Sequence, residues 1–238
     1  MINTTKEELR IFKPEEIGVT KWNIKGEEYI NIMKKVEKII LHQKEYCITN
    51  GIKGFIFHGD VGVGKTTLAK AIAHDLGSIL IFVDGSDIAR PLYGESESQI
   101  ANVFRVATKF RHSIILIDDC ESVFPARDWF KVESWHIAQN NVFFHELDNM
   151  DTSKTIVILT TNRYDLLDKA IKDRLLSIEF PKPSIETLIE IAKEKMKKLG
   201  MKNTKFIEEE IRGGKFYSIR SLEKYIIERY VEEIIRKV

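Results

Sequence analysis

Cysteine is scarce, with two in 238 residues. Cys47 and Cys120 stand far apart and form neither a metal-spaced pair nor a disulfide framework. Both read as buried apolar thiols in a reducing compartment, which points to the cytoplasm. Long hydrophobic runs are also missing. No stretch approaches the roughly 20 apolar residues of a membrane-spanning helix. The opening MINTTKEELR has no apolar segment after a basic start, so it does not read as a secretory leader. Charge of one sign is lacking too: 37 Lys plus Arg oppose 36 Asp plus Glu, a formal +1. That balance disfavours a protein held to nucleic acid by bulk charge, while leaving a local basic strip open. His145-Glu146 is not followed by a histidine at zinc-protease spacing, and His58 and His136 stand alone and read as structural. There is no internal repeat and no low-complexity segment. What is present is a globular mix, 43% apolar and 31% charged, of a length for one domain with a small appendage.

Residues 1–26 lack a clean period and read as an arm that packs on the body or on a partner. Ile30, Met33, Val36, Ile40 and Leu41 then recur at helical spacing. Beyond Asn50-Gly51 the chain alternates. Short apolar runs at 54–58, 79–83, 114–117, 155–159 and 177–180 are separated by helical stretches near 66–76, 96–110 and 133–150. Four- and five-residue apolar runs between helices suit a parallel sheet covered on both faces. Pro181-Lys182-Pro183 breaks that pattern. After it Ile185, Leu188, Ile189, Ala192, Met196 and Leu199 form one helical stripe. Gly213-Gly214 breaks the chain again before a last helix with Leu222, Tyr225, Ile226 and Tyr230.

The sharpest motif is Gly59-Asp60-Val61-Gly62-Val63-Gly64-Lys65-Thr66, which fits G-x-x-x-x-G-K-[ST]. A chain of this composition matches by chance roughly once in a hundred shuffled copies, and here the motif also follows a strand and opens a helix. Glycines let backbone N–H groups turn inward, and the helix N-terminus adds partial positive charge. Lys65 reaches outer phosphates in such a loop, and the Thr66 hydroxyl offers a hard donor to Mg²⁺.

The run Ile114–Ile117 ends in Asp118-Asp119. The carboxyl ends of parallel strands are where open sheets bind ligands. Asp118 suits a magnesium-associated role. Asp119 can orient or deprotonate a water, with Glu121 in reserve.

The order of motifs resembles the AAA+ ATPases, in the AAA branch of protein-remodelling machines. The resemblance runs from about residue 15 to the end. Its blocks are GDVGVGKT at 59–66, LYGESESQIANVFRVA at 92–107, SIILIDDCESVF at 113–124, NNVFFHELDNMD at 140–151, TIVILTTNRYDLLDKAIKDRL at 155–175 and SIRSLEKYI at 218–226. It implies an α/β fold: a P-loop three-layer αβα core with a five-stranded parallel sheet, plus a small C-terminal all-helical lid. The divisions are an arm at 1–26, a core at 27–180 and a lid at 181–238. It implies ATP or ADP with Mg²⁺ as ligands. Gly59, Gly62, Gly64, Lys65, Thr66 and Thr67 match the phosphate-binding segment, with Asp60, Val61 and Val63 between them. Asp118 matches the magnesium-associated aspartate. Asp119 stands where most members carry glutamate, one methylene longer. Asn162 matches the first sensor, although a cap or turn asparagine is the plainer reading of the residue alone. Arg174 matches an arginine inserted into the neighbouring subunit's site, and a surface salt bridge is its alternative. Arg220 resembles the second sensor, with a surface arginine as the alternative.

The family likeness further implies a ring of copies, a hexamer when nucleotide is bound, acting on a protein substrate without a membrane. Leu92 and Tyr93 fall where a pore loop lies, and Trp129 with Phe130 precede a second one. Packing within the domain is the alternative for all four. Two other readings of function stay open. One is an initiator or helicase loader acting on nucleic-acid complexes, as in relatives that carry a second aspartate. The other is a nucleotide-gated scaffold that does not hydrolyse.

Overall fold

The computed structural model describes residues 9–88, 95–126, 134–201 and 205–235. Among the described residues six strands form one sheet: β1 (Arg10–Phe12), β2 (Gly54–His58), β3 (Ile79–Asp84), β4 (Ser113–Asp118), β5 (Thr155–Thr161) and β6 (Leu176–Glu179). Their order across the sheet is β1-β3-β4-β5-β2-β6. The five strands expected from the sequence are mutually parallel, each within a residue or two of its predicted bounds. Among the described residues this five-stranded parallel sheet gains a sixth strand that was not expected. β1, from the arm, pairs antiparallel with β3, Ile11 opposite Ile81. Three half-exposed residues carry too little pattern to announce a strand.

The parallel strands are apolar at successive positions because both faces are covered. Side chains alternate between faces with period two. Phe55, Phe57, Leu80, Leu116, Ile156 and Ile158 point to one side, where α1 (Glu27–Glu45) and α2 (Lys65–Asp75) pack with Ile17 and Ile24 of the arm. Ile56, Ile81, Ile115, Ile117, Val157 and Leu159 point to the other. There they meet α3 (Gly85–Ile88), α4 (Glu95–Ala107), α5 (Ser134–Asn149) and α6 (Lys169–Arg174). Phe143 anchors that face, with ring centroids 4.5 Å from Phe124 and 5.7 Å from Phe104.

Beyond the prolines, α7 (Ile185–Lys198), α8 (Lys205–Arg212) and α9 (Ile219–Ile235) enclose a separate apolar cluster built on Leu188, Ala192, Met196, Ile207, Leu222 and Ile226. Ser184 caps α7 by accepting from the Thr187 N–H. The start of α1 grips this junction: the Tyr29 hydroxyl donates to the Pro181 carbonyl at 2.9 Å, and Glu28 accepts from the Ser184 N–H at 3.0 Å.

Three readings of individual residues are corrected. Cys120 is buried, but Cys47 is exposed just past α1. Leu41 and Ile185, placed on apolar stripes, are exposed at the rims of their helices. Among the described residues no helix is long and apolar enough to cross a membrane.

Candidate active site

β4, β5 and β2 are neighbours in the sheet, so their C-terminal ends open onto one edge. The loop after β2 turns tightly into α2. Gly62 (φ +76°) and Gly64 (φ +96°) sit in the left-handed region that L side chains resist. A β-carbon on Gly62 would also lie 2.7 Å from that of Arg220. Gly64 caps α2 without a side-chain acceptor, and the first turn holds no acid. The leading N–H groups of α2 are thus left for an anion, as a phosphate requires.

Lys65 opens α2 and is buried. Its ammonium donates to the carbonyls of Gly59 (2.9 Å) and Asp60 (2.8 Å) and to Oδ1 of Asn162 (2.8 Å). Burial holds its pKa below the usual lysine range, opposed by the nearby Asp119, Glu121 and Asp118. Asn162, just past β5, donates from Nδ2 to Asp119 Oδ1 at 3.0 Å. One amide therefore links the lysine to the second acid. Burial raises the Asp119 pKa, with Asp118, Glu121 and Asp84 adding to it. A carboxylate so placed is a stronger proton acceptor than an ordinary one. Behind it the Oε2 of Glu121 is buried without a partner among the described residues, and its Oε1 lies 3.5 Å from the Asn162 N–H.

Asp118 ends β4, and its Oδ1 accepts from the Thr66 hydroxyl at 2.6 Å and from the Thr160 hydroxyl. A hydroxyl beside a carboxylate is a hard-oxygen set. Mg²⁺ takes one or two carboxylates, keeps several waters and fills its shell with substrate phosphate, so these residues fit it. Among the described residues no group of three or more His, Cys, Asp or Glu could hold a metal by itself.

These residues line a cavity of about 180 Å³ that also includes Gly62, Gly64, Thr67, Ile219, Arg220 and Glu223. A second cavity, of about 230 Å³, shares Gly64, Thr67, Ile219 and Glu223 with it. Its walls come from the arm (Gly18, Val19, Ile24), from the body (Tyr29, Val63, Leu68) and from α7 (Ile191, Lys195, Lys198). The first cavity is lined mainly by polar and charged groups, and the second has the more apolar lining.

Most of the expected residues converge here. Lys65, Thr66, Thr67, Asp118, Asp119, Asn162 and Arg220 line the first cavity, and Val63 the second. Gly59, Asp60 and Val61 line neither, although two of their carbonyls hold Lys65. Arg174 lines neither of these two cavities. It stacks over Phe144 at 4.4 Å, and its Nε lies 3.4 Å from Asp148. Leu92, Tyr93, Trp129 and Phe130 lie outside the described residues. Sequence reasoning missed Thr160 and the wall formed by the arm and α7. Both depend on strand register and chain packing, which short motifs do not carry.

Residues 55–182 match the family model described as "ATPase family associated with various cellular activities (AAA)". The chain is similar to the ATP-dependent zinc metalloprotease FtsH of Aquifex aeolicus, 32% identical over 205 residues, which are 80% of this chain and 32% of that protein. It is similar to the 26S proteasome regulatory subunit 8 homolog of Saccharomyces cerevisiae, 32% identical over 187 residues, 72% of this chain and 45% of the relative. The corresponding homolog of Schizosaccharomyces pombe is 33% identical over 177 residues, 69% of this chain and 43% of the relative. The chain thus spans 32–45% of the length of these curated relatives.

Proposed function

The chain belongs to the AAA family of ATPases, and from that membership we propose that it hydrolyses ATP at the edge of its sheet to remodel a protein partner. The observation that carries this reading is the continuous set of contacts from Lys65 through Asn162 to Asp119, beside the Thr66–Asp118 pair, at the mouth of the α2 N-terminus. The roles follow from the chemistry of each group. The α2 N–H groups and Lys65 hold the phosphates. The Lys65 ammonium trades neutral oxygens for phosphate oxygens, a stronger charge-assisted bond. Thr66 and Asp118 would hold Mg²⁺, which supplies charge neutralisation when bound. Asp119 takes a proton from the attacking water while the Asn162 amide fixes the carboxylate. The base and sugar belong in the second cavity, between the arm and α7. Arg220, on the lid, completes the phosphate side.

The partner that Arg174 serves is a second copy of this chain. Its place on α6, outside the lining of the two cavities described, supports a role in the neighbour's site, and a ring, a hexamer when nucleotide is bound, is the assembly we propose. The names of the relatives, a protease and proteasome subunits, support a polypeptide as the remodelled target, with Leu92, Tyr93, Trp129 and Phe130 as its contacts. The metalloprotease name is not carried over, because these 238 residues hold no H-E-x-x-H. A reducing, cytoplasmic setting suits the exposed free thiol of Cys47.

Phosphate release measured against protein concentration tests this. Specific activity should rise with concentration as copies meet. Arg174→Ala should bind ATP normally and hydrolyse poorly. Mixing it with Lys65→Ala should restore part of the activity, since one variant then supplies the arginine and the other the intact loop. Full activity of Arg174→Ala alone would remove the shared site.

A further inference from the structure

Thr160 lies inside the 155–175 block, two residues before Asn162, but the sequence assigns it no role of its own. It is the penultimate residue of β5 and 1% exposed. The parallel register places Ile117 beside Leu159, so the next residues, Asp118 and Thr160, come side by side as the strands end. A threonine hydroxyl has one hydrogen to give and two lone pairs to accept with. Here it gives its hydrogen to Asp118 Oδ1, and the Asp119 N–H donates to the same hydroxyl oxygen at 3.2 Å. Asp119 sits at φ +49°, ψ 51°, a left-handed conformation that most residues with a β-carbon resist and that aspartate tolerates better than most. Its two ends are held by residues two apart in the chain: the N–H by Thr160 and the carboxylate by Asn162.

We infer that Thr160 is a positioning residue for both acids, its hydroxyl tying the Asp118 carboxylate and the Asp119 peptide into one unit. The inference rests on the ATPase reading of the site. It also gives the short second acid a physical rationale. An aspartate reaches one methylene less far than a glutamate, so its placement depends more on where its backbone is fixed. A left-handed peptide pinned to the neighbouring strand fixes it.

Thr160→Val keeps the shape and removes the hydroxyl, while Thr160→Ser keeps the hydroxyl. Thr160→Ala serves should the valine variant aggregate. Two readouts are needed. The first is the Mg²⁺ concentration that gives half of the rise in melting temperature at fixed ADP, which reports the metal site without turnover. The second is kcat and KM for ATP. For Thr160→Val the Mg²⁺ midpoint should rise about tenfold, as for the loss of other groups that orient a metal ligand. kcat should fall by about the same factor with KM for ATP little changed. Thr160→Ser should return both to near the parent values. A valine variant matching the parent in both readouts overturns the inference alone. So does a serine variant as impaired as valine, because packing would then be the cause. A parent protein that neither binds ADP nor turns over ATP overturns the ATPase reading, and this inference with it.

Discussion

The body and the lid line the same two cavities but contribute to them differently. On the body side, six residues from α2 and from the ends of β4 and β5 touch one another. Lys65, Asn162 and Asp119 form one chain of contacts, and Thr66, Asp118 and Thr160 form another. On the lid side, the Arg220 N–H reaches the Gly62 carbonyl at 3.2 Å, and Glu223 pairs with Lys195 of the lid itself at 3.2 Å. The apolar clusters divide in the same way. Phe143, Ile158 and Leu116 belong to clusters that share the sheet, whereas Leu222 and Ile226 pack only within the lid's own cluster. The body therefore holds its half of the site preformed. The lid brings to that half a surface whose helices pack on their own apolar cluster. Chemistry should be sensitive to body substitutions, and the response to nucleotide to lid substitutions.

The largest expected effect is on the body side. Asp119→Asn keeps the shape and removes the proton acceptor. Turnover should fall about 10²–10⁴-fold while ATP affinity stays near the parent's, checked by phosphate release and calorimetry. Next comes Leu222→Ala. Truncating this fully buried residue should cost about 2–5 kcal/mol, and hydrogen exchange should show the loss in α7–α9 rather than in the sheet. Equal loss of protection in β4 and β5 would break the contrast between the two regions. Arg220→Ala should be milder, because the side chain is exposed. A fall of about fivefold in ATP affinity, with little change in kcat, would assign the lid to sensing rather than to chemistry.

The smallest effect concerns the arm, which forms one wall of the second cavity. Lys21 of the arm pairs with Asp75 of α2 at 2.9 Å, and Glu37 of α1 lies beside that pair. Burial pushes the Glu37 carboxyl up to about 7, Asp75 adding and Lys21 opposing. Its folded-state value is raised, so its contribution to stability is complete below the ordinary carboxylate value of 4.5. That contribution is lost as pH rises through about 7. Glu37→Gln mimics the protonated form. It should match the parent at pH 4 and exceed it by about 1 kcal/mol at pH 8, after allowing for solvent screening of a half-buried group. Melting curves at the two pH values check this.

What could be read from the sequence follows from the range of each signal. The phosphate loop, the apolar strands and the double-proline junction are local patterns, and the structure holds each near its expected place. Lys65, Asp118 and Asn162 were legible because motif order carries them. β1 was not, since RIF is three residues long and gains its meaning only beside β3. Thr160 was not, because its role comes from the register of β5 against β4. Gly18, Val19 and Ile24 read as an arm, and only the packing against α2 and α7 makes them a cavity wall. Long-range pairing decided every one of these omissions.

Calorimetry of the intact chain with ATP and Mg²⁺, run beside Lys65→Ala, is the most direct measurement. A saturating heat at one nucleotide per chain, weakened about 10–100-fold by the substitution, is the predicted result. No heat from the parent, or equal affinity in the two proteins, would contradict a triphosphate held by this loop.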